Sequence, residues 1–334
     1  MEGRLNYISL LRVMAMFLIV FFHSLCFYTG AWWRFKVDII RGWEIIAEPV
    51  VKIGLALFVF IAGFLYGYLY FEKGKYKDCY TFMIGKFRRL LIPYMLWGIT
   101  CVFLPLGYEW GALFTGIAHL WFLLVLFELF IIIAFITRLG LLIKDACGMR
   151  SCFLFDLLLF MSSFTLVYIW RSCCNHHFIL GIESTLYYLP LMLSGYYISK
   201  YRAHRCVSVE LSVVGLLMGV VCLLFISMVD YNLIFSTQVI LIIIAFSLIM
   251  LTKKVCSQCK LGTFVAKLDK FSMGVYIFNQ LVIFGILSIQ PMNRYLSSLT
   301  MMGPFLIFVF SFAFSYLLSY WFFRIKYLSW MVGL

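Results

Sequence analysis

Charge is what this sequence has least of. Only 12% of its 334 residues are Asp, Glu, Lys or Arg, where a soluble domain averages about a quarter. So few charges cannot cover a water-facing surface, which excludes a conventional soluble domain. A disulfide framework is also missing: the 11 cysteines are scattered, and several, Cys26, Cys101 and Cys222, lie inside apolar runs where a free thiol behaves as a small hydrophobe. A cleavable leader is not expected either. The opening MEGRLNYISLLRVMAMFLIVFFHSLCFYTG starts basic and turns apolar, but it is long, carries Arg12 and His23, and has no small-residue cleavage site, so it reads as a retained first span.

What is present is apolar. The chain is 65% hydrophobic and 20% aromatic, with mean hydropathy +1.03. The fold class expected is all-α: a polytopic membrane helix bundle of about ten transmembrane helices, at roughly 20 residues per span. Apolar runs place the spans at 8–29, 50–71, 91–108, 119–137, 151–170, 184–200, 209–229, 233–251, 272–289 and 299–323. The third contains Pro93 and Pro105 and is expected to be broken. Ten spans use nearly all of residues 1–334, leaving one membrane domain and no room for a large soluble one. Trp and Tyr near several span ends, including Trp32, Trp33 and Trp110, fit interfacial anchors, or aromatic surfaces for sugar rings.

The net charge of +13 would favour nucleic acid in a soluble chain, but here its distribution carries the information, and nucleic acid is not expected as a partner. With the N-terminus cytoplasmic, 20 of the 27 Lys and Arg residues fall on inner segments and six on outer ones. That asymmetry predicts both termini on the cytoplasmic side of the cell membrane.

Ionisable groups inside spans are costly unless paired or facing a cavity. Arg12 and His23, eleven positions apart in the first span, share one helix face about 16 Å apart. They read either as a functional line through the membrane or as a snorkelling cation and a helix-packing imidazole. Lys86, Arg88 and Arg89, in GKFRRLLIPY, are either ordinary positive-inside anchoring or a clamp for a polyanionic ligand such as a nucleotide or coenzyme A. Glu128, Asp156 and Asn279 are the other polar groups within spans. CCNHH at 173–177 is too crowded for a tetrahedral zinc site, and Cys256 with Cys259 is a lone C-x-x-C, so no metal is expected.

Six strings in order resemble the acyltransferase-3 family of integral-membrane acyltransferases, which O-acylate bacterial surface sugars and other small acceptors. NYISLLRVMAMFLIVFFHS resembles its first helix, with Arg12 and His23 at the family's spacing. LALFVFIAGFLYGY resembles the second, where Ala62 replaces a usual Ser and Gly63 remains. KFRRLLIPYMLWG resembles the basic start of the third, with Lys86 where Arg is frequent. HLWFL at 119–123 matches the fourth-helix signature, YYLPLMLSGYYISKY a Gly-containing middle helix, and FSMGVYIFN a segment commonly ending in His, here Asn279. The resemblance runs from Asn6 to about Tyr316 and implies a stand-alone membrane domain.

It further implies transfer of an acyl group, most often acetyl, from cytoplasmic acyl-CoA to a hydroxyl of a carbohydrate, glycolipid or related acceptor. Lys86, Arg88 and Arg89 would hold the coenzyme's phosphates, with Arg12 a further cation near the pantetheine. His23 would be general base or a transient acyl carrier. Trp121 and Asn279 would line the substrate cavity, and Glu128 would partner His23 or an arginine. The competing readings are a transporter or flippase of similar span count, and a structural membrane protein in which these groups only pack helices.

Overall fold

The computed structural model describes residues 6–32, 35, 39–104, 108–174, 180–202, 208–229, 233–258, 262–325 and 327–333. The described residues are helical almost throughout, with no strand among them. The helices are α1 (Asn6–Leu25), α2 (Arg41–Gly67), α3 (Cys79–Lys86), α4 (Ile92–Phe103), the single turn α5 (Ala112–Thr115), α6 (Trp121–Cys174), α7 (Ile182–Lys200), α8 (Val209–Val229), α9 (Ile234–Gln258), α10 (Gly262–Ser288), α11 (Gln290–Ser298) and α12 (Gly303–Arg324). Seven helical stretches among the described residues are long and apolar enough to cross a membrane, and each of the ten expected segments overlaps a helix.

The third segment does not break at Pro93, but its helix does stop at Phe103, with Leu104 extended (ψ 150°) just before position 105. A π-turn over Phe87–Leu91 joins α3 to α4, and Pro93, without an N–H to donate, takes the second position of α4, where no intrahelical donor is needed. The fourth and fifth segments are two helices, as expected: the stretch labelled α6 is interrupted at Gly148, whose φ of 84° and ψ of 178° suit a residue without a Cβ. Gly140 lies beside Cys152 and Asp156, so the chain turns back on itself there.

The chain forms two compact units. The first comprises Met1–Phe58 with Cys206–Val332, the second Val59–Arg205. In the first, Ser9, Arg12 and His23 of α1 meet Asp269 and Asn279 of α10 in ascending order, so these two helices run parallel. α12 runs against α1 through an aromatic ladder in which Phe17 packs on Phe312 and Phe21 on Phe305. Gly215 and Gly219 of α8 lie against Ser247 and Ile244 of α9, small residues letting the backbones approach. Beyond His23 the bundle is closed by Leu25, Phe27, Tyr28, Trp32, Ile283 and Leu287, tied to the α11 segment by the Tyr28 hydroxyl donating to the Leu296 carbonyl at 2.8 Å.

In the second unit, the 59–67 end of α2 crosses α7 with almost no separation. A Cβ on Gly63 would collide with the carbonyl of Met192, and one on Gly195 with the carbonyl of Phe60. Only glycine permits this approach. The glycines of two separate sequence strings are therefore two sides of one helix crossing.

Candidate active site

The first unit holds two polar rungs between α1 and α10. At the lower rung, the Asp269 carboxylate accepts from the Ser9 hydroxyl at 2.7 Å and pairs with the Arg12 guanidinium at 3.4 Å. Asp269 is buried, whereas the Arg12 side chain is 30% exposed. Arg12 is thus held in place by an acid while its side chain stays partly exposed.

The upper rung is His23. Its Nδ1 lies 2.5 Å from Oδ1 of Asn279, and both residues are buried. The Asn279 amide has a fixed orientation, because its Nδ2 donates to the carbonyls of Val275 and Tyr276 at 3.1 and 2.5 Å. That turns Oδ1 toward the imidazole, and an amide oxygen only accepts. Nδ1 therefore carries the proton, and in neutral His23 the basic lone pair belongs to Nε2. A histidine whose one nitrogen is pinned as donor by a neighbouring acceptor has a defined tautomer and a defined base. Asn279, expected to line the substrate cavity, bonds the imidazole directly.

Sequence reasoning missed Asp269, which lay among the lysines of 267–270. A signal was present: Asp269 and Asn279 are ten positions apart, close to the eleven between Arg12 and His23. Two parallel helices with matched polar spacing can pair twice. Trp32, expected at an interface, is 7% exposed and stacked on Phe284 at 4.4 Å between ring centres, so it belongs to the apolar plug beyond His23.

Two basic residues of the second unit line a cavity of about 340 Å³. Lys86 and Arg89 face it, with Tyr76, Asp78, Thr81 and Phe82, while Arg88 is not among its lining residues. Lys86 is oriented by aromatic rings, its ammonium 3.9 Å from the Phe130 ring centre and 5.4 Å from that of Phe82. Arg89 is exposed on the π-turn. Asp78 caps α3, accepting from the Thr81 hydroxyl and from the backbone N–H groups of Thr81 and Tyr80. Those bonds hold its carboxyl below the usual carboxylate range. Its charge is thereby directed to the helix end, and the remaining two cations give the cavity an anion-binding character.

Of the other expected residues, Glu128 accepts from the Thr185 hydroxyl at 2.5 Å, a neutral partner on α7. Trp121, half-buried at the start of α6, packs on Phe122 and lies parallel to Tyr188 at 6.3 Å. Asp156 is ion-paired with Lys200. Trp33, residues 175–177 of the CCNHH string, and Cys259 lie outside the described residues.

The family model that matches this chain is that of an acyltransferase domain, the third acyltransferase family of that name, over residues 5–324. Comparison with curated proteins and with solved structures gives no match.

Proposed function

The chain belongs to the acyltransferase-3 family, and on that premise we propose that it is a membrane O-acyltransferase that moves an acyl group, acetyl in the simplest case, from cytoplasmic acyl-CoA to a hydroxyl of a cell-surface carbohydrate or related acceptor. The observation that carries this reading is the His23–Asn279 pair. Hydroxyl acylation needs a base near neutral pH, and a neutral imidazole with a fixed tautomer is suited to that.

In this reading Nε2 of His23 takes the proton from the acceptor hydroxyl as its oxygen attacks the thioester carbonyl. The tetrahedral intermediate then collapses, breaking the C–S bond. The imidazolium returns its proton to the coenzyme sulfur, so the products are the ester and free coenzyme A thiol. The buried setting of His23 and the apolar cluster beyond it disfavour water as a competing acceptor. By their charge Lys86 and Arg89, in the second unit, are assigned to phosphates of the donor; within the first unit Arg12, fixed by Asp269, is a further cation on the helix that carries His23. Glu128 and Trp121 shape the surroundings of α6.

The match of nearly the whole chain to an acyltransferase family favours this reading over a transporter. The test is to incubate membranes containing the protein with acetyl-labelled acetyl-CoA and a panel of hydroxyl acceptors. The reading expects acceptor-dependent, base-labile label in the product; label that never leaves acetyl-CoA with any acceptor would refute it.

A further inference from the structure

A second cavity, of about 690 Å³, lies in the second unit beside the Gly148 turn of α6, and it shares no lining residue with the cavity of Lys86 and Arg89. Its walls are apolar and aromatic, including Phe71, Leu141, Phe153 and Leu154. At its floor Lys200 is ion-paired with Asp156, which also accepts from the Tyr201 hydroxyl at 2.5 Å. That cation is therefore neutralised from within. At its rim stand Lys144 and Arg150, both exposed, and among the described residues no acidic residue lines the cavity to offset them.

The surroundings of the mouth narrow the ligand further. Met149, Leu154 and Leu158 are 63%, 56% and 69% exposed, an apolar collar suited to the hydrocarbon of a membrane and ill suited to water. The cavity is of ordinary ligand size. An occupant must therefore carry negative charge at one end and a hydrocarbon chain at the other, and must be reached from the bilayer. Basic pockets at the membrane surface of helical proteins select anionic headgroups in this way. We propose that this cavity binds an anionic phospholipid, its headgroup phosphate on Lys144 and Arg150 and one acyl chain along the Leu141 and Leu154 wall.

The test uses the full chain in nanodiscs of phosphatidylcholine containing a small fraction of phosphatidylglycerol, with the lipids retained on the protein counted by native mass spectrometry. The wild type should retain phosphatidylglycerol selectively, and the double variant Lys144→Ala/Arg150→Ala should weaken that retention about thirtyfold. Both positions are exposed, so the double variant should fold. Gly140→Leu, which fills the cavity from its wall, should lose retention with both cations intact. Equal retention of the two lipids by the wild type, or phosphatidylglycerol retention unchanged in either variant, would overturn the proposal. Palmitoyl-CoA is the competing source of phosphate and chain: if it displaces phosphatidylglycerol and binds in preference to it, the cavity is not a phospholipid site. No arm of this experiment reads acyl transfer, so it stands or falls separately from the proposed reaction, and His23→Ala should retain phosphatidylglycerol as the wild type does.

Discussion

Replacing Asn279 by leucine removes the acceptor that fixes the His23 tautomer while keeping a side chain of similar size in a buried helix position. The Nδ1–H of His23 then faces an apolar group at a site only 8% exposed. Leaving a buried donor without its acceptor costs about 1–3 kcal/mol, and the imidazole can escape that cost by moving its proton to Nε2 or by rotating. Either response removes the base from its working position. The same 1–3 kcal/mol, taken from the transition state, lowers kcat by about five- to 150-fold. Asn279 lies far along α10 from Asp269, which holds Arg12, so KM for acyl-CoA should stay near that of the wild type. Asn279→Asp keeps an oxygen acceptor for Nδ1 and should recover most of the lost rate. The assay is steady-state release of coenzyme A thiol with a saturating acceptor, at matched protein abundance. A leucine variant with wild-type kcat, or one whose whole loss lies in KM, would refute the argument that Asn279 acts by orienting His23.

Three further outcomes are expected. Gly63→Ala or Gly195→Ala forces α2 and α7 apart at a point where backbone already touches backbone; a loss of about 1–3 kcal/mol should appear as a lower melting temperature in detergent, and an unchanged melt would contradict the crossing. Lys86→Ala and Arg89→Ala should each weaken acetyl-CoA binding about tenfold by calorimetry, whereas Arg88→Ala, which removes a side chain outside that cavity, should weaken it less; equal effects at all three positions would mean that general positive charge, not the cavity, is responsible. Asp78 has a depressed pKa because its charged form accepts three bonds at the start of α3, so its capping is present above the ordinary carboxylate pKa and is lost as pH falls through the lower folded value; hydrogen exchange at Tyr80 and Thr81 should accelerate below about pH 4, and Asp78→Asn should abolish that pH dependence.

Much of this was legible in the sequence because it depends on one helix at a time. The scarcity of charge and the apolar runs announce membrane helices, and the spacing of Arg12 and His23 follows from helical geometry alone. The basic cluster before Pro93 was visible as charge, but which of its members share a cavity was not. That division depends on which way each side chain of the Phe87–Leu91 turn faces relative to α3 and α6, which the string does not state. Partners were least legible. His23 and Asn279 are 256 positions apart, and nothing in either string says that α1 and α10 lie side by side. Gly63 and Gly195 each looked like a small residue in a helix; their meaning appears only when the carbonyls of Met192 and Phe60 occupy the space of the missing Cβ atoms. The separation of the fourth and fifth segments was legible, but the place of the reversal was not: helix persists through Arg138 and Lys144, and the chain turns at Gly148.

The central claim is that His23 is the base for acyl transfer, and the most direct measurement is the single-turnover rate of acyl transfer from labelled acetyl-CoA to acceptor by wild type and His23→Ala at equal membrane abundance. General-base catalysis contributes about a hundredfold or more, so the variant should bind acetyl-CoA normally yet transfer label at least about a hundredfold more slowly. Transfer within a few-fold of the wild-type rate would contradict the account.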